Sequence, residues 1–173
     1  MKKEIVWSDH TDHLRKALCN DGAFLVAVDK SGKANPMTIG WGTVGNVWST
    51  PVFTVLVRLS RYTHGCIQDS DSFTVNVPRL GELKDELLFC GTKSGRDVDK
   101  AVECGLSLVP GKAVDTPVIE QCALHYECRV VVRKQLQAGD FFSPDVLEEH
   151  YKSGDHHLVV IGEILAAYAE SDL

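Results

Sequence analysis

Absences narrow the field for this chain before any motif does. No apolar run in its 173 residues is long enough to cross a bilayer, and Met1-Lys2-Lys3-Glu4 leads into a polar segment with no signal-peptide core. The expectation is a cytoplasmic protein that makes no use of a membrane. The six cysteines, Cys19, Cys66, Cys90, Cys104, Cys122 and Cys128, contain no C-x-x-C pair, so neither a zinc knuckle nor a dithiol motif is written locally. In a reducing compartment they read as small hydrophobes. The seven histidines include none spaced H-x-x-x-H or H-E-x-x-H, and no metal is expected. The nucleophile elbow G-x-S-x-G is missing, which removes the serine-hydrolase reading. Nucleotide binding through either familiar glycine loop is not expected. Positive charge is scarce as well. With 18 Lys+Arg against 24 Asp+Glu the formal net charge is -6, which argues against a broad nucleic-acid or anionic-membrane surface. A small molecule or a protein is the expected partner.

What remains is an ordinary globular composition, 44% hydrophobic and 24% charged, in a length that suits one domain over residues 1–173. Residues 9–20 place Leu14, Ala17 and Leu18 at helical spacing and stop at Asn20-Asp21-Gly22, so residues 1–20 are expected to form a helical segment packed on the rest. The compact apolar run 23–28 is followed by turn residues, Asp29-Lys30-Ser31-Gly32-Lys33, which predicts a hairpin whose return strand is 33–41. Further strands are legible at 52–57, 72–77, 123–132 and 157–167, and helices at 62–70, 82–90, 96–104 and 144–150. Their order is too irregular for βαβ units. It predicts a mainly β protein, a closed or partly closed antiparallel barrel with helices in the connections.

Two helix starts offer unpaired N–H groups and a positive dipole end to an anion. At Ser60-Arg61-Tyr62-Thr63, Ser60 is placed to cap, and Arg61 and Thr63 put a guanidinium and a hydroxyl in the first turn. This is either a phosphate seat or a capped helix with a solvated arginine. In the run 92–100, Ser94 and Asp97 match a capping box, while Lys93, Arg96 and Lys100 form either an anion site or a solvated face. Of the adjacent His156 and His157, strand alternation turns one inward. The hairpin strand Ala34-Asn35-Pro36-Met37-Thr38-Ile39-Gly40-Trp41-Gly42 mixes an amide, a hydroxyl, a thioether and an indole where a plain strand would alternate apolar with polar.

Taken in order, six blocks resemble the flavin reductase-like family, in its flavoredoxin branch. They are Asn35-x-Met37-Thr38-x-x-Trp41, Ser49-Thr50-Pro51, Arg61-Tyr62-Thr63-His64, Phe73-Thr74-Val75-Asn76, the run Ser94 to Lys100, and Asp155-His156-His157 before Gly162-Glu163-Ile164. The resemblance implies a split β-barrel of Greek-key type and the FMN-binding kind, acting as a homodimer with one FMN per subunit near the interface. By the same resemblance Asn35, Pro36, Met37, Thr38 and Trp41 line the flavin, and Ser49 and Thr50 continue that wall. Arg61, Tyr62 and Thr63 would meet the phosphate and Lys100 complete the clamp, with Ser94 and Arg96 as helpers. His157 matches the family's flavin-site histidine and is the residue expected to act in catalysis, as a charge near the flavin or a contact to a nicotinamide donor. The implied activity is that of an oxidoreductase passing electrons from NADH, NADPH or a redox-protein partner through bound FMN to an acceptor. Two other readings stand beside it: a non-catalytic split barrel that holds flavin or haem, and a thiol-dependent redox protein using Cys66 beside His64.

Overall fold

The structure is a computed structural model and describes residues 2–173. Strand β1 (Lys2–Glu4) and helix α1 (Thr11–Cys19) precede a hairpin of β2 (Ala23–Val28) and β3 (Ala34–Ile39), then a second hairpin of β4 (Gly42–Val47) and β5 (Thr50–Arg58). Helix α2 (Tyr62–Asp69) leads into β6 (Ser72–Val77), followed by α3 (Lys84–Thr92), the one-turn α4 (Lys100–Glu103), and a short pair, β7 (Leu108–Val109) and β8 (Val118–Ile119). Two long strands complete the order, β9 (Leu124–Gln135) and β10 (His157–Glu170), joined by an excursion that carries α5 (Pro144–His150). Among the described residues, no helix is long and apolar enough to cross a membrane.

All ladders are antiparallel, and the main sheet runs β3-β2-β6-β9-β10-β5-β4 with β1 attached to β10. Packing on both faces follows from the two-residue repeat of a strand. In β2, Leu25 and Ala27 enter one apolar cluster with Val55, Phe73 and Val75. Phe24 and Val26 enter a second with Leu87 and Cys90 of α3 and Ala101 of α4. That is why β2 is a continuous apolar run and not an alternating one. Each large side chain so buried contributes about 1.5–3 kcal/mol. The path ends on the unpaired outer edges of β3 and β4, so the barrel is split along one seam. Strand β10 bends at two register shifts, Ile161/Gly162 and Ile164/Ala166, and so pairs β5 with its first half and β1 with its last residues. The bend needs glycine at 162, where a Cβ would lie 2.5 Å from the Phe73 ring and 2.8 Å from Cys128 Cβ.

Several expectations need correction. The return strand stops at Ile39, and Gly40 and Trp41 form a corner into β4, which the sequence reading missed along with β1. Gly40-Trp41-Gly42-Thr43-Val44-Gly45 does carry the spacing G-x-G-x-x-G, but it runs into a strand and not a helix start, so it offers no dinucleotide cradle. The helix expected over 96–104 is only Lys100–Glu103, because its cap is Asp99, whose carboxylate accepts from Val102 N at 3.3 Å. Ser94 and Asp97 form no capping box; Ser94 Oγ accepts from Arg96 N within a tight turn. Ser60 does not cap α2 either. Its N–H and hydroxyl both donate to the Asp155 carboxylate, at 3.1 and 2.6 Å.

Candidate functional site

A cleft of about 110 Å³ opens where the start of α2 faces the turn between α3 and α4. Its cations are Arg61, Lys93, Arg96 and Lys100, its hydroxyls are those of Ser60, Thr63, Thr92 and Ser94, and no carboxylate lines it. In a chain with net charge -6 this is a local inversion. Helix α2 begins without a side-chain cap, leaving the N–H groups of Tyr62 and Thr63 without helical acceptors at the positive dipole end. Arg61 donates to Gly91 O at 3.0 Å, and Arg96 donates to Ser60 O at 3.3 Å while its guanidinium lies 5.5 Å from the centre of the Tyr62 ring. The decisive group is Lys100. It is 3% exposed, and its ammonium donates to Cys90 O at 3.1 Å. Burial lowers its pKa, and Arg61 adds to that; no carboxylate opposes them.

A second cleft of about 280 Å³ shares Met37 and Arg61 with the first, so the two form one groove. Its walls are the end of β3 with Gly40 and Trp41 on one side and Leu56, Arg58 and His157 on the other. One wall of the groove is an edge strand: β3 pairs only with β2, so alternate backbone N–H and C=O groups of its outer edge have no strand partner. The Trp41 indole lies 5.2 Å from the rings of both His157 and His150. Arg58 bridges to the α5 excursion, donating to Asp155 O at 2.8 Å and to His150 O at 3.1 Å.

His157 is buried, and burial, reinforced by Arg58 and Arg61 against the opposing pull of Asp155, brings it down to about 4. It is a neutral imidazole at neutral pH. Because the folded value lies below the ordinary 6.5, the unfolded chain binds more protons between about pH 4 and 6.5, and stability rises with pH across that window. Urea midpoints should fall as pH drops through it, with a His157 share of no more than about 1.4 kcal/mol per pH unit. His157→Gln should remove that share of the slope.

Ten of the fourteen residues singled out from the sequence line this groove: Met37, Thr38, Trp41, Arg61, Tyr62, Thr63, Ser94, Arg96, Lys100 and His157. Several polar groups among them are turned elsewhere. Asn35 is buried beneath the wall and donates to Thr63 Oγ1 at 2.8 Å; the Thr38 hydroxyl donates to Leu87 O at 2.5 Å; the Tyr62 phenol donates to Asp29 at 2.9 Å. Asn35→Ala should therefore cost about 1–3 kcal/mol of stability, since the Thr63 oxygen loses its buried donor. Denaturant unfolding measures this directly. Pro36 pairs with Val26 on the face covered by α3 and α4, not in the groove. Ser49 and Thr50 lie at the tip of the β4–β5 hairpin, where Trp48 and Ser49 both have positive φ. The eight residue steps from Thr50 to Arg58 put that tip roughly 25 Å from the groove end of β5. Arg58, Leu56 and Tyr151 were missed from sequence. A charge closing the otherwise apolar strand 52–57 was the available signal for Arg58. The Cys66 thiol is buried, donates to Tyr62 O at 3.6 Å and is pushed up to about 11, which leaves it unreactive.

An antiparallel barrel split along one seam, with helices in its connections, is the fold of the FMN-binding split-barrel proteins. Comparison with known proteins agrees. The profile of the flavin reductase like domain matches residues 17–173. An uncharacterized protein of Archaeoglobus fulgidus is 35% identical over 133 residues, 77% of this chain and 64% of its own length. The chain thus spans somewhat less than two thirds of that relative. The crystal structure of flavoredoxin from Methanosarcina acetivorans superposes with a TM-score of 0.66 at 34% identity, over 87% of this chain and 68% of that one. Flavoredoxin of Desulfovibrio vulgaris shares the fold at 22% identity, with a TM-score of 0.68 over 87% of this chain and 70% of its own. The chain belongs to the flavin reductase-like family, in its flavoredoxin branch.

Proposed function

We propose that the groove binds FMN and that the protein is a flavin-dependent oxidoreductase, drawing electrons from NADH, NADPH or a redox-protein partner and delivering them to an acceptor. The observation that carries this reading is Lys100, a buried ammonium with one carbonyl partner in a cleft without carboxylates. Such a charge is costly without a counter-ion, and a phosphate monoester at an uncapped helix start supplies one. Arg61 and Arg96 would complete the clamp. The ring end suits an isoalloxazine: Trp41, Met37 and Leu56 give apolar walls, and the free edge of β3 gives hydrogen-bond partners. Bound FMN would supply the hydride and electron chemistry, while the chain orients it, shields it and sets its potential.

The reading includes a homodimer, with the β4–β5 hairpin as its contact. Trp48 is 67% exposed at the tip, and Ser49 and Thr50 beside it are too far away to serve the groove of their own chain. Titration of the purified protein into FMN should quench flavin fluorescence to a one-to-one end point, and anaerobic mixing with NADH, NADPH or a reduced redox protein should bleach the bound flavin. Protein that stays colourless after incubation with FMN and desalting would overturn the proposal.

A further inference from the structure

Tyr151 ends α5 and lies behind the groove, 7% exposed, with its ring packed among Phe141 at 4.9 Å, His156 at 5.2 Å and the Arg58 guanidinium at 5.4 Å. Its phenol oxygen lies 2.7 Å from His157 Nδ1. Among the described residues that is the one hydrogen bond the phenol makes, and it is also the one hydrogen bond made by the His157 ring. His157 Nε2 has no partner within the chain, is not sealed from solvent, and belongs to a side chain that lines the ring end of the groove.

The direction of the Tyr151–His157 bond follows from counting protons. A neutral imidazole carries one N–H, and a phenol has one O–H to place. If Nδ1–H donated to the phenol oxygen, the phenol proton would be left without a partner, since the phenol makes no hydrogen bond but the one to His157, and the buried Nε2 of the stacked His156 makes none with it. An unmet buried donor costs about 1–3 kcal/mol. If the phenol donates to Nδ1, both groups are satisfied, and the ring proton sits on Nε2, facing the groove.

We infer that Tyr151 is a positioning residue that holds His157 as the Nε2–H tautomer, so that the ring end of the groove presents a fixed, neutral N–H donor to an electron-rich atom of whatever ring lies there. The excursion that carries Tyr151 is itself tied down by Arg58 through the carbonyls of His150 and Asp155, and the Trp41 indole packs against the imidazole at 5.2 Å. The imidazole orientation is thus fixed before any ligand arrives. The tautomer assignment stands on these contacts alone; its effect on a flavin rests on the FMN reading.

The test begins with flavin-free protein carrying nitrogen-15 in its histidine rings. Long-range proton–nitrogen spectra near neutral pH show which ring nitrogen bears the proton, with His157→Gln assigning the signal. The expected wild-type result is a protonated Nε2 and a hydrogen-bonded, unprotonated Nδ1. Tyr151→Phe keeps the aromatic packing and removes only the hydroxyl, and it should allow the Nδ1–H form to appear. A wild-type ring protonated at Nδ1, or a tautomer balance that Tyr151→Phe leaves unchanged, overturns the assignment. In the FMN-loaded protein, Tyr151→Phe should lower the flavin midpoint potential, because a fixed donor favours the electron-richer reduced flavin. An unchanged potential shows that the N–H does not address the flavin and overturns that half. If wild-type protein fails to bind FMN, the FMN reading falls while the spectra still decide the tautomer.

Discussion

Replacing Lys100 by methionine should weaken FMN binding about 100-fold, the equivalent of about 2.7 kcal/mol, and at the same time stabilise the unliganded protein. The two effects have opposite signs because they come from the same buried charge. Without a phosphate the ammonium is desolvated and held by a single carbonyl, Cys90 O, with Arg61 as an unfavourable neighbour. Methionine fills a similar volume without the charge, and replacing buried charged groups by apolar side chains of similar volume stabilises by up to about 1–4 kcal/mol even where the charges are paired. With the phosphate in place, the charge becomes the shortest route to neutralisation in the cleft. Fluorescence titration gives the first quantity and denaturant unfolding the second. An unchanged FMN affinity would mean that the phosphate sits elsewhere. A loss of stability in the unliganded variant would mean that Lys100 is a packing element between α3 and α4.

Gly95→Ala should be nearly as damaging for a different reason. A Cβ there would fall on the Asn35 carbonyl oxygen and 2.6 Å from Tyr62 Cδ1. Neither neighbour can give way cheaply: Asn35 is buried and bonded to Thr63, and Tyr62 is fixed through its phenol to Asp29. The turn bearing Ser94 and Arg96 must lift off the start of α2, which widens the phosphate end of the groove. Overpacking of this kind costs about 1–3 kcal/mol of stability. At least a tenfold loss of FMN affinity is expected, about 1.4 kcal/mol. Gly65→Ala is the control. Nothing lies within 4 Å of a Cβ at that position in α2, so the change should stabilise the protein by about 0.5–1 kcal/mol and leave binding alone.

How much of this was legible in the sequence depended on whether a segment's own residues decide its fate. Ala23–Val28 and Ser72–Val77 were placed to the residue: the first is a short apolar run closed by turn residues, the second an alternating stretch rich in β-branched residues. Gly42–Val47 was invisible: two glycines, an asparagine and a threonine carry little strand preference, and its conformation comes from pairing with β5. Residues 94–99 were misread as a helix start because Ser94 and Asp97 satisfy the capping-box pattern. The backbone there is bent where Gly95 packs against Asn35 and Tyr62, 60 and 33 positions back in the sequence, contacts that no local pattern encodes. The cations Arg61, Arg96 and Lys100 were each visible, and the fold brings them to one cleft. That Asn35, Thr38 and Tyr62 spend their polar groups on the scaffold could be known only from their partners. Tyr151 gave no signal at all, since its role depends on His157 six residues away across an irregular loop.

The divided pairing of β10 also has a kinetic side. Its partners come from 2–4, 50–58 and 124–135, so the strand that begins with His157 is the last to be made and the one that joins the others. Until it is laid down, β5 and β9 have no common neighbour and the two walls of the groove are not held in register. Such non-local closure belongs to the slow end of single-domain folding, roughly milliseconds to seconds. The histidine end of the groove is complete only when this strand is paired, because His157 is its first residue and pairs with Arg58.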